Sequence, residues 1–139
     1  CAANTGASPG FEATATASSA KHFPGHGDTS ADSHLALPVV DLPLERLRER
    51  ELLPFEAAIA AGARTIMTSH ILLPGVDPGA PATFSREILH GLLREELGFE
   101  GVIVSDALDM KGASGDIGIA VAAVREPLVL QANSRKMED

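Results

Sequence analysis

The side chains able to do chemistry gather in a few short segments. The densest is Lys21-His22-Phe23-Pro24-Gly25-His26-Gly27-Asp28-Thr29, followed closely by Asp32-Ser33-His34. A phosphate cradle fails here, because Gly25-x-Gly27 has neither a third glycine nor a Gly-Lys-Ser/Thr ending. A metal site would have His22, His26, Asp28, Asp32 and His34 to draw on. Pro24 and Gly25, however, prevent the helix that would align His22 with His26. Acid–base chemistry fits better. Asp32 and His34 stand two apart in an extended stretch, so the carboxylate can orient the imidazole and favour its protonated form. A histidine held that way can protonate a leaving group near neutral pH. The bland alternative is a polar loop whose histidines satisfy backbone groups.

A second centre is Asp106, which closes the apolar run Gly101-Val102-Ile103-Val104-Ser105. A carboxylate at a strand end is held rigidly enough to act as a nucleophile, although capping the following turn is a common job for Asp. Asp109 reads as that capping or supporting residue. Asp106 with the Asp32/His34 pair would supply one nucleophile and one proton donor. That is the minimum for double-displacement glycoside hydrolysis, with a histidine replacing the usual second carboxylate.

These groups need elements to hold them. A small-residue run from Thr14 to His22 reads as a strand ending at Phe23-Pro24-Gly25, and the polar stretch Gly25 to Asp41 as a long loop. Asp41 is placed to cap a helix opening near Pro43, with Leu44, Leu47, Leu52, Leu53, Phe55 and Ile59 as its apolar stripe. Pro54 should kink or divide that helix, and Gly62 should stop it. Arg64 to Ser69 reads as a buried strand ending at His70, and Pro74 to Thr83 as a Pro/Gly-rich loop. Ser85 should cap a second helix with the stripe Ile88, Leu89, Leu92, Leu93 and Leu97, stopped by Gly98. A third helix is expected from Ile117 to Arg125 after the Gly101–Ser105 strand.

Strand and helix thus alternate, which calls for a parallel sheet with helices outside it. Both a doubly wound sheet and a (β/α)8 barrel satisfy the pattern. In either, the strand C-termini share one edge, so Lys21, His22, Ser69, His70 and Asp106 should converge there.

Composition narrows the chemistry further. The 139 residues carry a formal charge of −8, which leaves no basic footprint for nucleic acid. Arg46, Arg48 and Arg50 interleave with Glu45, Glu49 and Glu51 as a solvated helix face. No apolar run reaches the roughly 18 residues of a membrane span. The single cysteine, Cys1, excludes an intrachain disulfide and a cysteine-based zinc knuckle. Trp and Tyr are absent, which disfavours a stand-alone sugar- or single-strand-binding module.

AKHFPGHGDTSADSHLALP together with GVIVSDALDM closely resembles the catalytic domain of glycoside hydrolase family 3, most of all its bacterial β-N-acetylhexosaminidase branch. The likeness runs from about Ala20 to Arg125. It implies a retaining mechanism on a (β/α)8 barrel, no metal and no cofactor. By resemblance, Asp106 is the nucleophile and His34, paired with Asp32, the general acid/base. Lys21 and His22 hydrogen-bond sugar hydroxyls, while His26, Asp28 and Thr29 shape the loop that carries the dyad. Met67, Ser69 and His70 lie on a barrel strand beside the substrate.

The expected architecture is therefore α/β, a partial TIM barrel of about three β/α units, since a full barrel needs about 250 residues. Residues 1–12 are expected to be an atypical N-terminal end, 13–126 the barrel segment and 127–139 an atypical tail, as in an internal piece of a larger product. The expected reaction is hydrolysis of terminal β-linked N-acetylglucosamine, weak or absent in the isolated chain. A family 3 β-glucosidase segment and a non-catalytic fragment are the alternatives. The expected partner is a carbohydrate, with no nucleic acid or membrane span, and unpaired strand edges invite self-association. The compartment is open: cytoplasmic placement is favoured over an exported or lipid-anchored form.

Overall fold

The computed structural model describes residues 18–25 and 37–108. Strands β1 (Ser19–Phe23), β2 (Thr65–Thr68) and β3 (Val102–Val104) form one parallel sheet in the order β1-β2-β3. Ala20, Ile66 and Ile103 stand side by side in the register and are all buried, because that face packs on the helices. The opposite face, with Thr65, Met67, Val102 and Val104, is half-buried or exposed. The register slips between Ala20 and Phe23; the Lys21–His22 peptide in that stretch and the Phe23–Pro24 peptide after it are cis. β1 reaches one residue past the expected end at His22. The expected start at Thr14 and the helix Ile117–Arg125 lie outside the described residues.

Between β1 and β2, helix α1 (Leu44–Arg46) runs into a π-type stretch, Leu47–Glu51, and then α2 (Leu53–Ala60). Pro54 sits in the first turn of α2, where its missing N–H costs nothing, so it divides the helix. Asp41 does not cap α1. Pro43 occupies that position with no side-chain bond, a correction to the expected start. The stripe also loses one member: Leu47, Leu52 and Phe55 are buried, whereas Leu53 is 51% exposed. Leu52, Phe55 and Ile59 hold the helical spacing, and Leu53 lies one residue round from it. Phe55 meets Phe23 of β1 edge-on, with ring centroids 5.1 Å apart.

Between β2 and β3 comes a short 3-10 turn, Ala82–Phe84, and a π-type helix, Glu87–Glu96. The Ser85 hydroxyl accepts the Ile88 N–H at 3.2 Å, the expected cap. Ile88, Leu89, Leu92 and Leu93 are all buried. Gly62 and Gly98 end the two helical segments at φ +84° and +67°, conformations that favour glycine. The Arg48 guanidinium grips the Glu96 carboxylate through two bonds, of 2.7 and 2.8 Å, and so ties the first helical segment to the second. Among the described residues, no helix is long and apolar enough to cross a membrane.

Candidate active site

All three strands deliver their reactive residues at the same edge. His22 precedes the last residue of β1, Ser69 and His70 follow β2, and Asp106 lies two residues beyond β3. His22 and Asp106 meet there. His22 Nε2 lies 3.5 Å from Asp106 Oδ2, and the two side chains keep 31% and 26% of their exposure. The other oxygen, Oδ1, accepts the Ala107 N–H at 2.8 Å. The carboxylate is therefore oriented through both oxygens while it remains open to solvent. At such exposure the His22 contact is worth orientation more than stability.

Ser69 and His70 are placed differently. Both are 1% exposed, with their polar atoms turned into the protein. The Phe23 carbonyl accepts both the Ser69 N–H at 2.9 Å and the Ser69 hydroxyl at 3.0 Å. His70 Nε2 lies 3.0 Å from the Ala107 carbonyl, and Nδ1 lies 3.0 Å from Thr83 Oγ1. A carbonyl only accepts, so the proton of a neutral His70 must sit on Nε2. Nδ1 is then an acceptor, so the one Thr83 hydroxyl proton is shared between it and the Ser69 carbonyl, also 3.0 Å away. Thr83 Oγ1 also lies 3.0 Å from Thr68 Oγ1, from which it can accept. The Phe84 ring runs nearly parallel to the His70 ring, at 6.4 Å between centroids, and packs against Leu108.

Lys21 is exposed and Met67 half-buried. His26, Asp28, Thr29, Asp32, His34 and Asp109 lie outside the described residues. The structure thus brings His22, Ser69, His70 and Asp106 together. Sequence reasoning missed Thr83 and Ala107. A buried threonine in a Pro/Gly-rich loop and an alanine acting through its backbone carry no side-chain signature. Among the described residues, no group of three or more His, Cys, Asp or Glu could hold a metal ion.

Known proteins share this arrangement of chain. The chain is 47% identical over 116 residues to Beta-hexosaminidase A of Pseudoalteromonas piscicida, covering 75% of this chain and 19% of that protein. The structure of a glycoside hydrolase family 3 β-N-acetylglucosaminidase from Paenibacillus sp. str. FPU-7 superposes with a TM-score of 0.77 at 44% identity. That match covers 89% of this chain and 27% of the other. NagZ from Neisseria gonorrhoeae, solved in complex with N-trifluoroacetyl-D-glucosamine, gives a TM-score of 0.69 at 41% identity, over 84% of this chain and 32% of that one. The chain thus spans about a fifth to a third of the length of these proteins. Residues 6–132 match the glycosyl hydrolase family 3 N terminal domain, and the chain belongs to that family.

Proposed function

We propose that this chain carries the catalytic edge of a retaining β-N-acetylglucosaminidase, on about three units of a (β/α)8 barrel. Asp106 is the nucleophile. Its Oδ2 attacks the anomeric carbon of a terminal β-linked N-acetylglucosamine as the bond to the leaving oxygen breaks. The His34 imidazolium, oriented by Asp32, gives that oxygen its proton. Water then attacks the glycosyl-enzyme ester, loses a proton to His34, and frees Asp106. Lys21 and His22 donate to sugar hydroxyls, and His26 and Met67 border the substrate. The sugar itself comes from the relatives, one of which was solved with a glucosamine derivative.

The observation that carries the proposal is the Asp106 carboxylate, held through both oxygens at the strand edge and left a quarter exposed. A buried or freely rotating carboxylate would suit a nucleophile less well. The test is a fluorinated, activated N-acetylglucosaminyl fluoride, whose leaving group needs little protonation and whose ester turns over slowly. Mass spectrometry of the digested chain should find one sugar, on the peptide containing Asp106, and none in Asp106→Asn. Labelling elsewhere rejects the assignment, as does the absence of labelling in a full-length relative treated the same way; the isolated chain itself is expected to react weakly. Faster labelling by the glucosyl analogue would favour a β-glucosidase. The outer edges of β1 and β3 belong to the same reading as sites of self-association, with a monomer in gel filtration as the contrary result.

A further inference from the structure

We propose that Ser69 and His70 are positioning residues, a two-armed brace at the end of β2 that fixes the separation of His22 and Asp106. The inference rests on reading Asp106 as the nucleophile. His22 and Asp106 belong to the two outer strands, with β2 between them. Two inter-strand spacings amount to about 9.6 Å, so the side chains must lean over the end of β2 to meet. They can do so because the residues that finish β2 turn inward. The Ser69 arm reaches β1: its N–H and hydroxyl both bind the carbonyl of Phe23, the neighbour of His22. The His70 arm reaches the turn after β3: its Nε2–H binds the carbonyl of Ala107, whose own N–H holds Asp106 Oδ1.

Adjacent residues just past the end of one strand therefore grip the chain beside each partner. Thr83 steadies the far side of the His70 ring, and Phe84 packs on Leu108 just beyond the held carbonyl. An apolar side chain at position 70 would fill the space but could not hold that carbonyl. The brace therefore needs a donor at this position as well as bulk.

The experiment is nuclear magnetic resonance on the full 139-residue chain, labelled with nitrogen-15. In the unsubstituted protein the His70 ring should show the Nε2–H tautomer; the Nδ1–H tautomer overturns the proposal before any variant is made. In His70→Leu, the amide order parameters of Ala107 and Leu108 should fall from about 0.85 to below about 0.6, while those of Ile66 and Ile103 stay near 0.85. His70→Gln, which restores a donor near Nε2, should recover the rigid values. Loss of order spread equally over β2 and β3 would mean that His70 only packs, and unchanged order at Ala107 would mean that it holds nothing. Ser69→Ala is the milder lesion and decides the case if His70→Leu does not fold. It should shift the Phe23 and His22 resonances and leave Ala107 in place; unmoved His22 resonances refute the Ser69 arm. No sugar enters these measurements. Failure of Asp106 to label would leave the brace standing, and a failed brace would leave the nucleophile standing.

Discussion

Thr83→Val isolates the polar network beneath the site. The Thr83 side chain is fully buried, and its hydroxyl lies 3.0 Å from each of Thr68 Oγ1, the Ser69 carbonyl and His70 Nδ1. Valine keeps the shape, so the cavity contribution is small and the loss is polar. The hydroxyl has one proton to give, so it makes one donated bond, shared between the Ser69 carbonyl and His70 Nδ1, and one accepted from Thr68. At about 1 kcal/mol net per hydrogen bond, losing both should cost about 2 kcal/mol, roughly thirtyfold in the folding equilibrium. Thr68→Val removes only the contact between the two hydroxyls and should cost about 1 kcal/mol. The contrast between the two variants matters more than either value, because both delete one hydroxyl at a buried threonine. With no Trp or Tyr in the chain, unfolding in urea is best followed by far-UV circular dichroism. A Thr83→Val chain within about 0.5 kcal/mol of the parent, or Thr68→Val costing as much as Thr83→Val, would refute the network as drawn.

Other consequences follow from the surrounding scaffold. The Arg48 guanidinium bound to it holds the Glu96 carboxyl below the usual range. The stability this gives is therefore present above the ordinary glutamate value and lost as pH falls through the lowered one, and acid titration of Arg48→Ala should show a weaker loss in that window. Ser85→Ala removes the bond to the Ile88 N–H and should cost about 1 kcal/mol in urea. The same hydroxyl is the main cause of the lowered Asp77 carboxyl, ahead of the Gly79 N–H, so Asp77 should titrate at higher pH in that variant, followed by carbon-13 resonance. Gly101→Ala would drive a methyl into the Arg64 carbonyl and the Phe99 ring, and should cost about 1–3 kcal/mol by the same urea measurement.

The sheet was legible because its signals are local. Ile66, Ile103 and the Ile88–Leu93 stripe announce buried faces by spacing alone, and each is buried where expected. The helix between β1 and β2 was harder to read. Pro43 and Pro54 both suit a first turn, so sequence could not say which of them opens a new helix. A stretch with π-type bonds, Leu47–Glu51, then carries the chain from one to the other. Leu53, exposed beside the buried Leu52, is an apolar residue that looks like part of the stripe until the helix phase is known.

Residue types at the site were legible, but their roles depend on direction, which sequence does not encode. His22, Ser69, His70 and Asp106 all advertise themselves as polar side chains at strand ends, and an open edge would let every one of them face a substrate. Three parallel strands make that arrangement crowded. If Ser69 and His70 pointed outward, they would occupy the space over β2 through which His22 and Asp106 reach each other, to 3.5 Å. Burying both requires partners for a hydroxyl and two ring nitrogens. The carbonyls of Phe23 and Ala107 and the hydroxyl of Thr83 supply them. Thr83 comes from the loop before the second helix, so its part depends on how that loop returns to the sheet, a long-range fact that no local spacing reports. The inward turn at the central strand and the meeting of the two outer ones are thus a single packing solution, in which satisfying the buried polar groups also clears the approach to Asp106.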